Sequence, residues 1–391
     1  MKKEKRIFAL LLAAAMMATT ALPAWAQTPE TADSDLVKVE ATWENVLAAR
    51  EALAKRPATL ADDNNVQAMR TVLERVSNAV QNHTETEENV NIKDLQLDKD
   101  LVMAILRDLN VQVDGGEAID TLSCWYSNDL ATAIELDYCT AEKVTAIQAR
   151  LNQLVERTNA LCQMDMEKAL YVHDWLVQNI AYDVEHLSEF LPDDFNAYGA
   201  LCEGTAVCEG YAKAYALLLQ KVHIPVKFAN SYSMMHMWNV VRLQGKWYHV
   251  DLTWDDPLNP NTHKDQPGLV LHENFLCSTS YLKKKGYRGI RCKLTTSSKY
   301  DHKYWKQVNS AFYYQKGRFI YQTDRAVRQR KRIAGGAART LARAGGSLFV
   351  KGSKGRFYFI NFNRIYCYNG RTHQVKLVWE GGKKYASYQA A

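Results

Sequence analysis

Several common features are missing from this sequence. After the leading segment there is no run of about eighteen consecutive apolar residues, which argues against an integral helical membrane span. There is no Gly-rich phosphate loop, no HExxH helix and no dinucleotide fingerprint, so no cofactor is expected and no metal is assigned. None of the eight cysteines forms a close C-x2-C pair; the nearest two, Cys202 and Cys208 in CEGTAVC, are too far apart for that zinc pattern. Acids almost vanish from the end of the chain. Residues 281–391 hold three, Asp301, Asp324 and Glu380, against 26 Lys and Arg, a net +23.

What is present begins with MKKEKRIFALLLAAAMMATTALPAWAQ. A basic cluster, a short apolar run and Ala24-Trp25-Ala26 predict a signal peptide over residues 1–26, cleaved after Ala26. No Cys follows at the position where a lipoprotein would be acylated. A soluble, exported chain is expected, either secreted or kept in the periplasm or cell envelope.

Without that segment about 365 residues remain, enough for two or three domains. The net charge of +6 falls to +3, so residues 27–280 carry about −20. This split suggests a basic module beside an acidic one, and with it an anionic partner such as a cell-envelope polymer, lipid or nucleic acid. The plainer alternative is that the two modules attract each other, or that the charges form a solvated face. If Cys208 is kept free for chemistry, seven cysteines remain (Cys124, Cys139, Cys162, Cys202, Cys277, Cys292 and Cys367), an odd number that gives no disulfide framework.

Helical periodicity runs through WENVLAAREALAKR, VQAMRTVLERVSNAVQN and KDLVMAILRDL, with QNHTETEENVN between the last two as a loop. A short strand at ATAIELDY precedes the helix AEKVTAIQARLNQLVERTNAL. In the next helix, MDMEKALYVHDWLVQNIAYD, His173 falls on the apolar stripe, where a hydrogen-bonded core histidine is the commoner outcome than a ligand or base. Strands follow at VKFANSY, MWNVVRLQGKWYHVDLTW and LHENFLCSTSYLKKKGY. Near the end AFYYQKGRFIYQ, GRFYFINFNRIYCYN and THQVKLVW read as β-structure, and GRFIYQ echoes GRFYFI. The basic, Gly-rich RAVRQRKRIAGGAARTLARAGG between them fits no single element.

Chemistry concentrates around AVCEGYAKAY. A helix starting at or just after Cys208 sets its thiol beside unpaired backbone N–H groups and the positive end of the helix dipole, both of which favour a reactive thiolate. A two-residue turn at Gln244-Gly245 folds MHMWNVVRLQGKWYHVDLTW into a hairpin with Trp238 facing Asp251. His236 and Asp251 then become diagonal neighbours on one face, roughly 7–8 Å apart at the backbone and within reach of an imidazole–carboxylate hydrogen bond. His249 lies on the same face and is the fallback base. Cys208, His236 and Asp251 supply a nucleophile, a general base and an orienting carboxylate. The competing reading is a structural Cys beside ordinary strand residues. Asp255 and Asp256 could ligate calcium, but a turn before Pro257 explains them more simply.

The motifs EKALYVHDWLVQNIAYD, NAYGAL, GTAVCEGYAKAYALLL, MHMWNVVRLQGKWYHVDLTWDDP and ENFLCSTSYL, in that order, resemble bacterial secreted members of the transglutaminase-like superfamily. The resemblance implies an α+β, papain-like core with the thiol on a central helix packed on an antiparallel sheet. It also maps the family's Cys, His and Asp onto Cys208, His236 and Asp251. Trp238, Asn239, Trp254 and Tyr198 sit in the matching motifs as packing or cleft residues. The expected layout is a helical region over 27–160, the transglutaminase-like core over 161–292 and a basic β-rich module over 293–391. The expected activity is cysteine-dependent acyl transfer on amide bonds of a protein or peptide, by hydrolysis or by transfer to an amine. The alternative is a non-catalytic envelope-binding protein that uses the core as a scaffold.

Overall fold

The computed structural model describes residues 36–55, 63–83, 86–109, 112–113, 115–187, 191–266, 268–292, 294–315 and 317–381; the expected signal peptide lies outside them. The chain divides into two compact units. Arg6–Arg150 with Asn196–Tyr198 forms one, and Leu151–Phe195 with Gly199–Ala391 forms most of the other. No helix among the described residues is long and apolar enough to cross a membrane.

In the first unit the predicted helices are present as α1 (Trp43–Lys55), α2 (Asp63–Asn82) and α3 (Lys99–Leu109). They pack against an antiparallel sheet in the order β1 (Val37–Glu40), β3 (Ile119–Ser127), β4 (Leu130–Tyr138) and β2 (Glu87–Asn91). Val72, Val76 and Val80 from α2 meet Val102 and Leu106 from α3 and Leu122, Ile134 and Leu136 from the sheet in one core. ATAIELDY is a strand, as expected, but the polar tract read as a loop contains β2. Only Val90 of β2 is buried, Glu88 is half-buried and the other three are exposed, so pairing with β4 supplies what its own composition does not.

The helix α4 (Ala141–Leu161) matches its predicted bounds and leads into the second unit. There α5 (Asp165–Asn179) is followed by the short parallel pair β5 (Ala181–Tyr182) and β6 (Thr205–Ala206), and then by α6 (Cys208–Lys221). The helix α6 lies on an antiparallel sheet ordered β10 (Phe275–Cys277), β9 (Lys246–Val250), β8 (His236–Leu243) and β7 (Val226–Ser231). The Asn239 amide of β8 donates to the Ala212 carbonyl of α6 at 3.0 Å. The segment CSTSYLKKKGY, expected to continue as strand, instead turns into α7 (Thr279–Lys285). Ser278 caps its start by accepting from the Tyr281 N–H, and Gly286 ends it at φ 103°, so local capping overrides the β pattern.

Two four-stranded antiparallel meanders complete this unit. The first runs through β11 (Tyr313–Gln315), β12 (Arg318–Gln322), β13 (Val327–Arg330) and β14 (Arg339–Ala342). The second runs through β15 (Ser347–Lys351), β16 (Arg356–Asn361), β17 (Arg364–Asn369) and β18 (Val375–Glu380). The echoed motifs occupy β12 and β16, the second strand of each. Ile320, Val327, Phe349, Phe357, Phe359 and Tyr368 form their shared core. Val327 and Leu341 show that the unassigned basic stretch holds β13 and β14.

Candidate active site

The α6 start is shaped by the residues just before it. Gly204 takes φ 77°, where a side chain would be strained, and turns the chain into β6. At Gly199 a Cβ would sit 2.1 Å from the Asp193 carbonyl oxygen, so only glycine allows that backbone approach. Val207 is extended at the N-cap and offers no side-chain cap to the first helical turn. The Cys208 thiol therefore sits at an N-terminus whose N–H groups are not capped by that residue, with the sulfur at the edge of the interior, 8% exposed. The buried Glu209 of the same turn is paired with Lys213 at 2.7 Å.

The hairpin register brings the other two residues in. Asn239 pairs with Val250 and Val240 with His249, and the turn residues Gln244 and Gly245 both have positive φ, 51° and 76°. These are the conditions of a two-residue I′ turn. His236 Nε2 meets Asp251 Oδ2 at 2.7 Å. The Cys208 sulfur lies near enough to act on the same imidazole. Burial opposes charge on His236, but the Asp251 carboxylate, by charge and hydrogen bond, and the Cys208 sulfur together raise its pKa to about 10. Asp251 is fully buried and accepts from the Tyr287 hydroxyl at 2.6 Å and the Trp254 N–H at 3.2 Å. All three residues named from sequence come together. Tyr287 had no motif to reveal it.

His249 does not have the environment of a base. Its Nδ1 accepts from the Trp238 indole at 3.0 Å, its Nε2 lies 2.9 Å from Thr279 Oγ1, and burial lowers its pKa to about 4. Of the other motif residues, Trp238 and Trp254 stack on His236, Asn239 fastens α6, and Tyr198 lies under the Lys143 ammonium at 4.8 Å. None of the eight cysteines is joined in a disulfide. Burial pushes Cys124, Cys162 and Cys277 up to about 12, which keeps those sulfurs protonated.

A second buried network lies behind the site. His173 bridges Asp174 at 2.9 Å and Asp255 at 3.2 Å, and His272 bridges Asp174 at 2.9 Å and the Val308 carbonyl at 3.0 Å. Burial disfavours charge on His173, but Asp174 and Asp255 raise its pKa to about 9. The expectation of a hydrogen-bonded core histidine holds. His173, Asp174 and His272 are close enough to surround a cation, yet their ring nitrogens and carboxylate oxygens already bond to one another and to the Phe312 N–H at 2.7 Å. Asp255 is further held by Asn274, and Asp256 accepts from Tyr211 at 2.6 Å through Oδ2. Asp174 and His272 went unnoticed in the sequence because 98 positions separate them.

Residues 152–252 match the family model described as the Transglutaminase-like superfamily. Among curated proteins, the chain is 30% identical over 148 residues to Kyphoscoliosis peptidase of Mus musculus and 26% identical over 132 residues to that of Homo sapiens. These matches cover 34% and 30% of this chain, and the chain spans 22% and 20% of the length of those relatives. A crystal structure of a TGase covers 34% of this chain and 43% of its own at 14% identity and a TM-score of 0.26, a likeness too slight to carry an argument. The similarity to the transglutaminase-like superfamily thus lies in residues 152–252 of this chain.

Proposed function

We propose that this protein is an exported cysteine-dependent acyl-transfer enzyme acting on amide bonds of proteins or peptides. The observation that carries this reading is the 2.7 Å pairing of His236 with Asp251 on the hairpin facing the Cys208 thiol at the start of α6. In the proposed reaction the Cys208 sulfur attacks a carboxamide carbon while its proton goes to His236. The tetrahedral adduct collapses to a thioester as His236 gives that proton to the departing amine or ammonia. Asp251 holds the imidazole in place and stabilises its charged form. Attack by water on the thioester gives hydrolysis; attack by an amine gives cross-linking. Hydrolysis is favoured for an exported protein, where water is always present.

Incubating the full chain with a glutamine-containing peptide and a fluorescent amine tests both routes. Peptide cleavage or deamidation that disappears in Cys208→Ala is expected. Amine incorporation lost in that variant would move the assignment to transamidation, and activity surviving in it would sink the reading.

A second reading rests on the charge of residues 281–391, 26 Lys and Arg against three acids. It makes the core a scaffold and the basic module a grip on an anionic cell-envelope polymer. Such binding weakens steeply with salt. Iodoacetamide separates the two readings: an enzyme thiol reacts well below its ordinary pH range and is protected by a substrate analogue, whereas a scaffold thiol is inert.

A further inference from the structure

Thiolate attack on a carbonyl moves an electron pair onto oxygen, and catalysis requires donors aimed at that charge. The Cys208 backbone N–H at the open α6 start supplies one. The residue beside it comes from β5. Tyr182 pairs with Ala206 in the parallel β5–β6 ladder, two positions before Cys208. At about 3.3 Å per residue and about 4.8 Å between strands, the Tyr182 and Cys208 backbones lie roughly 8 Å apart, a gap that a tyrosine side chain bridges.

The phenol is confined to that flank. Tyr182 is only 5% exposed, and its ring stacks on Tyr211 at 6.5 Å and 28°. Tyr211 is one turn along α6 from Cys208, so the stack sits against the helix start. Backbone bonds hold this geometry from both sides, with the Asp183 N–H on the Ala206 carbonyl at 3.1 Å and the Val207 N–H on the Asp194 carbonyl at 3.0 Å. Burial pushes the Tyr182 hydroxyl well above its usual range. Cys208 adds most among the charges around it, followed by Asp183, Asp194 and Asp251. The hydroxyl therefore stays protonated and able to donate at any working pH.

Granting the acyl-transfer reading, the geometry points to the Tyr182 hydroxyl as the second oxyanion donor, working with the Cys208 N–H as a catalytic residue. In the acylation step the sulfur–carbon bond forms, the carbonyl pair moves to an oxygen held by these two donors, and its return expels the leaving group. Tyr182 donates a hydrogen bond and loses no proton.

Two reagents separate this role from a structural one without requiring the natural substrate. p-Nitrophenyl acetate acylates a thiol through a tetrahedral oxyanion and releases nitrophenolate; iodoacetamide alkylates it by direct displacement at carbon, with no oxyanion. In the full chain, Tyr182→Phe keeps the ring stack and removes only the hydroxyl. Acylation of Cys208 should slow by roughly 10²–10³-fold while alkylation proceeds at the wild-type rate. Wild-type acylation in Tyr182→Phe would overturn the inference alone, as would equal slowing of both reactions, which marks a displaced thiol. A wild-type Cys208 that resists both reagents would overturn the acyl-transfer reading and this inference with it.

Discussion

His236 stacks on Trp254 with ring centroids 5.3 Å apart and planes 19° apart, and Trp238 stacks on it as well at 5.4 Å and 26°. An imidazole packed by two indoles has little freedom to swing, so Nε2 stays on Asp251. Trp238 is buried, whereas Trp254 is half-buried and forms the removable side of this clamp. Trp254→Ala should lower amidase turnover about tenfold or more by freeing the ring, with Trp254→Phe restoring most of it, because misplaced catalytic groups lose rate steeply. Turnover of the two variants on the same peptide checks this.

Asp251→Asn keeps the shape but removes the charge that favours the His236 imidazolium. Turnover should fall by roughly 10²–10⁴-fold, the range expected when a positioned acid–base pair is lost. Iodoacetamide labelling of Cys208 should become slower at neutral pH. Unchanged labelling would show that the carboxylate does not support the thiolate.

His249→Gln provides the opposite control. Its ring is neutral and bonded to Trp238 and Thr279, so the variant should lose about 1–3 kcal/mol of stability through the unpaired indole while Cys208 keeps its alkylation rate. Urea unfolding and labelling kinetics measure the two effects separately.

The buried network predicts alkaline sensitivity. His173 has its folded pKa raised from 6.5 to about 9 by Asp174 and Asp255. Its contribution is fully present below about 6.5 and is lost as pH rises through about 9, a change on the order of 3 kcal/mol. Melting temperature should therefore decline across that window, and His173→Gln should be less stable at pH 6 with a flatter alkaline decline. A wild-type protein whose melting temperature is flat from pH 6 to 10 would contradict this.

The basic module makes a prediction independent of catalysis. Affinity of the full chain for a poly(glycerol phosphate) probe should fall linearly with salt on a double-logarithmic plot, and replacing Lys331 and Arg332 by Gln should make the slope shallower by up to about 2. Salt-independent binding would remove the electrostatic account.

The site was legible where chemistry and local geometry coincided. Gln244-Gly245 fixed the turn, the turn fixed the register, and the register put His236 beside Asp251. The helix start at Cys208 followed from its apolar run and the glycine before it. What escaped depended on distant partners or on a competing local signal. β2 exists because β4 pairs with it, and α7 because Ser278 and Gly286 cap a segment that follows directly on a strand. The joining of Asp174 to His272 and Tyr287 to Asp251 is a tertiary outcome with no periodic trace.

The buried histidine–aspartate cluster also binds the basic end of the chain to the core. Asp174 needs the Phe312 amide and His272 needs the Val308 carbonyl, and both lie beyond the boundary that composition suggests near residue 293. A chain cut there would leave buried Asp174 without the Phe312 donor and His272 without the Val308 carbonyl. The meanders thus complete the interior of the core: a single nick between 293 and 307 should leave the two fragments held together through a gel-filtration column, while the core expressed alone should be recovered mainly as aggregate.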